Sequence, residues 1–350
     1  MELFDFDDIL ITPAVLSPIR SRNEITSRYA EDRLPLFVSP MDTVICEENQ
    51  DLFLDEGFVT VLPRIKNPDL DYVSTNQFLS YSMEDFEKIF MSNTPTLMEP
   101  SSVMALIDVA NGHMSDLLKL TKESKKKYGE DLVLMVGNIA NPYTFMEYCR
   151  TYVDYVRIGI GNGGGCLTTV QTGIGYPMAS LIKECHDMRK VNSWASKTKI
   201  VADGGFKKYS DIIKAMALGA DYVMLGSILN KALESCGETT RIDEHGEHHQ
   251  VDQYSDVALE MFNVDIPLYK VFRGMSTKEV QKSWGKKELT TSEGVVRQHK
   301  VEYTLSGWRE NFESYLKSAM SYTGTRTLQE FIGGVKYYHI TQNSFNRFNK

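Results

Sequence analysis

The residues best equipped for chemistry in this sequence run Gly159-Ile160-Gly161-Asn162-Gly163-Gly164-Gly165-Cys166-Leu167-Thr168-Thr169. Five glycines in seven residues let a backbone approach a ligand closely and take positive φ without steric cost. A cysteine ending such a loop sits among exposed N–H dipoles, which stabilise a thiolate. Cys166 is therefore a candidate nucleophile, and Thr168 and Thr169 supply hydroxyls for proton transfer. Asp203-Gly204-Gly205 and Gly226-Ser227 each follow a short apolar run, and Ser227 opens a helical pattern. Backbone N–H groups at such turns and helix starts receive a phosphate. The Asp203 carboxylate is then placed to accept hydrogen bonds from ribose hydroxyls.

Other clusters have plainer explanations. Glu244, His245, Glu247, His248 and His249 are residues of metal-ligand type, but they lie in a polar stretch with no apolar shell. A solvated turn is the expectation there. His113 and His186 fall where packing or exposure explains a histidine, and Lys125, Lys126 and Lys127 read as the solvated end of a helix. The five cysteines are odd in number and lack CxxC spacing, which suggests reduced thiols in a cytoplasmic protein. Most of them are expected to act as small buried hydrophobes.

Eight apolar runs stand ready to position these residues: 34–38, 58–62, 78–81, 103–109, 132–136, 155–160, 200–202 and 222–225. Several are continuous rather than alternating, as parallel strands covered on both faces require. Helical patterns separate them. Residues 115–128 carry a serine cap and lysines in the last turns, 177–189 begin with proline, and 209–218 end at Gly219. Eight strands with intervening helices predict a (β/α)₈ barrel, with an open doubly wound sheet as the alternative on pattern alone. A barrel places its active site at the C-terminal ends of its strands, where SPMDT, DVANG, GIGNGGGC, DGG and GS all fall. After Ser227 the repeat stops. Residues 235–268 read as a polar excursion with a hairpin at His245-Gly246, residues 276–307 as a lysine-rich mobile flap, and 309–321 as a closing helix. The whole chain, 1–350, is expected to form one barrel domain.

With 350 residues the chain can bury a full core, and 42% hydrophobic with 24% charged residues fits an ordinary soluble globular protein. A net charge of −9 argues against a nucleic-acid partner, which would demand a basic stripe. No run approaches 18 apolar residues, and the acidic N-terminus has no signal-peptide pattern, so no membrane role is expected.

Many of these stretches occur together in one known family. FDFDDILITP with SRNEI (21–25), SPMDTV (39–44), IDVANG (107–112), VGNI (136–139), GIGxGxxCxTT (159–169), TGIGYP (172–177), VADGG (201–205), YVMLGS (222–227), RGMS (273–276), TSEG (291–294) and SYTGTRTLQEF appear in order. The sequence resembles the IMP dehydrogenase and GMP reductase family along nearly its whole length. The resemblance implies a covalent step in which a cysteine adds to C2 of a purine nucleotide and hydride moves between C2 and a nicotinamide.

Several features resemble the reductase branch: IDVANG, TGIGYP, Glu293 where dehydrogenases carry glutamine, and a flap without an adjacent Arg-Tyr pair. Residues 62–78 also leave no room for the paired regulatory (CBS) domain that most dehydrogenases insert. SPMDTV and Arg273 resemble the dehydrogenase branch, which converts IMP to XMP with NAD. On the reductase pattern the resemblance implies NADPH-dependent deamination of GMP, or of a deoxy or modified relative, to IMP and ammonia. Cys166 would be the nucleophile, with Thr168 and Glu293 protonating the departing ammonia. Asp203, Gly204, Gly205, Gly226, Ser227, Gly274, Met275 and Ser276 would hold the nucleotide. Ser21, Arg22, Asp108, Ile160 and Gly161 would meet the cofactor, and backbone carbonyls of Gly161, Gly163 and Cys166 would hold K⁺. The family pattern also implies a homotetramer.

The sequence departs from that pattern in the same pocket. Gly164 replaces a phosphate-binding serine, Asn162 a proline and Gly165 a small aliphatic residue, and Thr290 and Val295 stand where reductases are basic. Loss of one hydrogen bond to a charged group costs about 1.5–3 kcal/mol, enough to weaken GMP or alter the preferred ligand. A nucleotide-binding paralogue with little turnover is the third expectation.

Overall fold

The computed structural model describes residues 2–69, 71–92, 102–284, 291–292 and 294–348. Strand β1 (Ile9–Ile11) precedes a parallel barrel built from β2 (Leu36–Val38), β3 (Val61–Leu62), β4 (Phe78–Tyr81), β5 (Val103–Asp108), β6 (Leu132–Ile139), β7 (Tyr155–Ile158), β8 (Lys199–Asp203) and β9 (Tyr222–Leu225). Neighbours pair in sequence order and β9 returns to β2. A parallel bridge between Phe37 and Val59 joins the two ends of the sheet, with Val59 N–H donating to the Leu36 carbonyl at 3.0 Å. The expected (β/α)₈ barrel is therefore the fold. Only residues 63–77 connect β3 to β4, so no regulatory domain is inserted.

Period-2 alternation fills the barrel and then aims its mouth. Phe37, Val59, Val61, Phe78, Leu106, Met135, Val201 and Met224 form the buried interior, with Tyr155 packed against it. Two residues further along the same inner faces come Ser39, Asp108, Arg157, Asp203 and Gly226. The alternation that buries Leu106 and Val201 thus delivers Asp108 and Asp203 to the C-terminal rim. The larger core lies between strands and outer helices. Three of those helices, Ser115–Tyr128, Met178–Val191 and Tyr209–Leu218, fall where the sequence pattern put them, with differences at their starts. Ser115 is the first helical residue rather than the cap, a position held by Met114 without a side-chain bond, and Pro177 caps its helix rather than opening it. Gly219, at φ +122°, ends the third helix as expected.

The excursion has more regular structure than its polar composition suggests. Strands β10 (Thr239–Ile242) and β11 (His248–Gln250) form the expected hairpin, which turns through His245 and Gly246. A helix, Asp256–Asn263, follows, and Ser255 caps it by accepting from the Ala258 N–H at 3.2 Å. β12 (Leu268–Arg273) pairs with β10 and with β13 (Val296–Lys300), so the end of the expected flap is a strand of a four-stranded antiparallel sheet. A small separate core of Leu233, Ala258, Leu268 and Val301 explains why. Its apolar residues are too widely spaced to register as one periodic run. The closing helix spans Leu305–Thr323, and β14 (Tyr337–His339) returns to pair antiparallel with β1.

Candidate active site

A cavity of about 610 Å³ opens at the barrel mouth. Its lining brings together Cys166 and Thr168 from the glycine loop, Asp203 at the end of β8 with Gly204 and Gly205 after it, and Gly226 and Ser227 after β9. Gly274, Met275 and Ser276 reach it from the end of β12, and Asp108, Ile160, Gly161 and Gly163 complete the set. Ser21 and Arg22 do not line it. They sit on a short turn against the closing helix, where Arg22 donates to Ser318 Oγ at 3.2 Å. Glu293 and Thr290 lie outside the described residues.

The Cys166 loop is held from within and from the flap. Cys166 N–H donates to the Gly163 carbonyl at 3.0 Å, tightening the turn. Cys166 and Gly294 form an antiparallel bridge, Val295 N–H donates to the Gly165 carbonyl at 3.1 Å, and Gly274 N–H donates to the Val295 carbonyl at 3.0 Å. Three segments far apart in sequence are thereby stitched around the thiol. Cys166 Sγ lies 3.2 Å from Thr168 Oγ1, within hydrogen-bonding reach. Gly204 and Gly205 adopt φ of +92° and +90°, and a Cβ on Gly204 would meet the Gly163 nitrogen at 2.9 Å. The close approach of these two loops therefore requires glycine.

Sequence reasoning missed the charged floor of the cavity. Arg157 is 5% exposed, makes an ion pair with Asp108, and lies 3.8 Å from Asp203. Arg64 reaches Asp108 at 3.4 Å and stacks over the Trp284 ring at 4.0 Å. Asn138 donates to Asp203 Oδ2 at 2.8 Å and to the Gly159 carbonyl at 2.7 Å. A lone arginine in the apolar strand Tyr-Val-Arg-Ile was the available signal, because an unpaired charge there would be prohibitive.

The two carboxylates of this floor diverge. Burial raises both, but for Asp108 the Arg157 and Arg64 guanidiniums outweigh it and hold the group below its ordinary value. For Asp203 burial prevails over Arg157 and the Asn138 bond, and the nearby Asp108 charge adds to the rise. Next in sequence to the lining residues Met41 and Gly274, Asp42 and Arg273 are joined by two bonds, of 3.1 and 2.6 Å. The cavity thus holds a thiol, a hydroxyl beside it, glycine turns at two strand ends and two carboxylates on a shared guanidinium.

The match to the IMP dehydrogenase / GMP reductase domain covers residues 85–348. The chain belongs to that family. It is similar to GMP reductase 2 from Homo sapiens, 27% identical over 97% of this chain and 94% of the relative. It is also similar to GMP reductase from Streptococcus gordonii, 28% identical over 93% and 92%, and to GMP reductase 1 from Mus musculus, 27% identical over 97% and 95%.

The other sequence candidates go elsewhere. His249 bonds Asp243 at 2.8 Å on the exposed hairpin, and no group of metal-binding residues forms among the described residues. His113 links Thr144 and the Ala140 N–H, and His186 packs beneath Gly219 and Gly333. Lys125 is buried on Asp154 at 2.9 Å rather than solvated as expected. Cys149 and Cys185 are buried thiols whose pKa values burial raises, the former to about 11. No helix among the described residues is long and apolar enough to cross a membrane.

Proposed function

We propose that this chain is a GMP reductase-like oxidoreductase, converting GMP or a related deoxy or modified purine nucleotide to IMP-type product and ammonia. The Cys166–Thr168 contact of 3.2 Å inside the cavity carries this proposal. In it the Cys166 thiolate adds to C2 of the purine, and the 2-amino group leaves as ammonia with a proton passed through Thr168 and Glu293. The result is a thioimidate on Cys166. Splitting the reaction at a covalent intermediate replaces one hard displacement with two easier steps, and a hydroxyl–carboxylate relay suits an amine leaving group.

The nucleotide would lie with its ribose on Asp203 and its phosphate against the backbone of Gly205, Gly226 and Ser227, where a helix start offers N–H groups without intrahelical partners. Gly274, Met275 and Ser276 would close over the base. NADPH supplies hydride to C2 when bound. Asp108, Ile160 and Gly161 would face it, and the buried Arg157 Nε, without a hydrogen-bond partner, marks a polar donor in that part of the cavity. Ser21 and Arg22 lie away from this cavity, and a second subunit of a homotetramer would have to bring them to it. Carbonyl oxygens of Gly161, Gly163 and Cys166 are donors of the type that suits K⁺. A cytoplasmic location agrees with reduced cysteines at all five positions.

One observation favours a dehydrogenase alternative. Asp42 of SPMDTV and Arg273, which stand in the two dehydrogenase-like segments, form an ion pair with each other. Absorbance at the reduced-nicotinamide band, with GMP, dGMP and modified guanine nucleotides plus NADPH against IMP plus NAD, separates these activities. Oxidation of NADPH with release of ammonia is the expected result. Reduction of NAD on IMP alone would replace it with the dehydrogenase, and binding without turnover would indicate a paralogue.

A further inference from the structure

Phe206, Phe272 and Trp284 line the cavity, and Trp284 differs from the other two in what covers its ring. Phe206 packs on Phe6 with ring centroids 5.6 Å apart, and Phe272 stacks on His299 at 4.8 Å. Trp284 has no ring partner among the described residues. Instead the Arg64 guanidinium lies over its indole, 4.0 Å from the ring centroid. The backbone that carries the indole is well anchored. Trp284 N–H donates to the Val280 carbonyl at 3.1 Å, Val280 is fully buried, and Gln281 Nε2 donates to the Ser276 carbonyl at 3.0 Å. Arg64 comes from the segment after β3, so the contact joins two lining segments far apart in the chain.

Charge at this end of the cavity is neutral to positive. Among the described residues the charged groups of the lining are Arg64, Arg157, Asp108 and Asp203. Arg64 and Arg157 share Asp108, and Asp203 lies 3.8 Å from Arg157 alone. A cation over one face of an indole draws on its π density, so a ring stacked on the indole is best neutral and electron-rich. The reduced nicotinamide ring is of that kind, whereas the oxidised ring is a pyridinium cation. A bare indole would favour the pyridinium, and one that already carries a guanidinium repels it.

We propose that Trp284, backed by Arg64, is a specificity-determining residue that holds the reduced nicotinamide ring and turns away the oxidised one. The inference rests on the reductase-like reading, under which the cavity takes NADPH, and adds the residues that select its redox state. Such a wall favours loading of reduced cofactor and release of spent cofactor. The same wall works against a dehydrogenase, which must hold the cationic ring before the chemistry begins.

The test titrates NADPH and NADP⁺ by calorimetry into full-length Cys166→Ala protein, alone and with GMP, so that no turnover competes with binding. NADPH should bind about tenfold more tightly than NADP⁺, the scale of one cation–π contact. Arg64→Met should raise the affinity for NADP⁺ and shrink the preference several-fold, while Arg64→Lys should keep most of it. Trp284→Leu should weaken NADPH more than NADP⁺, with Trp284→Phe retaining the order of the parent. Equal losses for the two forms in Arg64→Met and Trp284→Leu would reduce the pair to a structural contact and overturn the proposal. Equal affinities in the parent would overturn it too, and would leave the reductase reading standing. Failure of both dinucleotides to bind, with or without GMP, would overturn the reductase reading and this inference with it.

Discussion

Two regions of this molecule carry dense chemistry-bearing residues, and only one makes a site. The hairpin of β10 and β11 gathers Glu244, His245, Glu247, His248 and His249 within six residues, yet β11 is exposed along its length and His249 bonds a neighbouring aspartate. The barrel mouth draws Asp108, Arg157 with Cys166, Asp203 and Gly274 from four separate segments into one cavity. In the hairpin water solvates each side chain and dilutes its electrostatics. At the mouth low dielectric makes every charge felt, so that Asp108 and Asp203 depart from their ordinary pKa values in opposite directions. Convergence and burial distinguish the two regions more than residue type does.

The sharpest way to break the comparison is to remove Cys166, the nucleophile we propose. Cys166→Ala should lower turnover by on the order of 10³-fold or more while nucleotide binding and fold survive, because only the covalent route is lost. Substantial activity in steady-state assays would move the nucleophile elsewhere. Glu293→Gln should slow ammonia release more than hydride transfer measured on IMP in reverse. Equal losses in the two assays would reduce Glu293 to a shaping role.

Asp203 ranks next. Its carboxyl titrates above the ordinary value, so as pH falls through that raised pKa the carboxylate is lost before an exposed aspartate would be. Nucleotide affinity should therefore weaken on mild acidification, while Asp108, held low, stays charged. Asp203→Asn should weaken the nucleotide by roughly 10- to 100-fold, as expected for losing hydrogen bonds to a charged group. It should also flatten the pH dependence in calorimetric titrations. An unchanged pH profile in the variant would assign the titration to another group.

A smaller effect sharpens the proposed phosphate site. Gly164 has no positive φ, and a Cβ there would sit 3.5 Å from Ser227 Oγ in ordinary contact, so serine fits without strain. Gly164→Ser should tighten GMP by up to about tenfold if one net hydrogen bond returns. Unchanged affinity in a well-folded variant would place the phosphate away from Gly164 and Ser227. His249→Ala should be the smallest perturbation, with turnover and nucleotide affinity both unaltered. A loss there would show that the excursion communicates with the mouth.

Much of the barrel was legible because short apolar runs bounded by turn residues, and helix punctuation, are local signals. β4 and β9 match their runs end to end, while the run at 155–160 overshoots β7 because Gly159, at φ +127°, leaves the extended region. The excursion was harder to read. Its helix and β13 are held by a satellite core whose four residues come from 233 to 301, and no single window contains that pattern. Ser255 was the overlooked local clue, since it caps the helix.

The sequence by itself determined that Cys166 ends a glycine loop after a strand, that Asp203-Gly-Gly and Gly226-Ser227 occupy strand ends, and that eight strands alternate with helices. Those features depend on neighbours along the chain, where propensity, turn chemistry and side-chain period operate. Only the tertiary structure decided that Arg157 would lie between Asp108 and Asp203, that Asn138 would bond Asp203, and that Val295 would pin the Cys166 loop. Closing the barrel sets these contacts by bringing together inner faces that are up to a hundred residues or more apart. Buried charges then settle into whatever pairing the enclosed geometry allows.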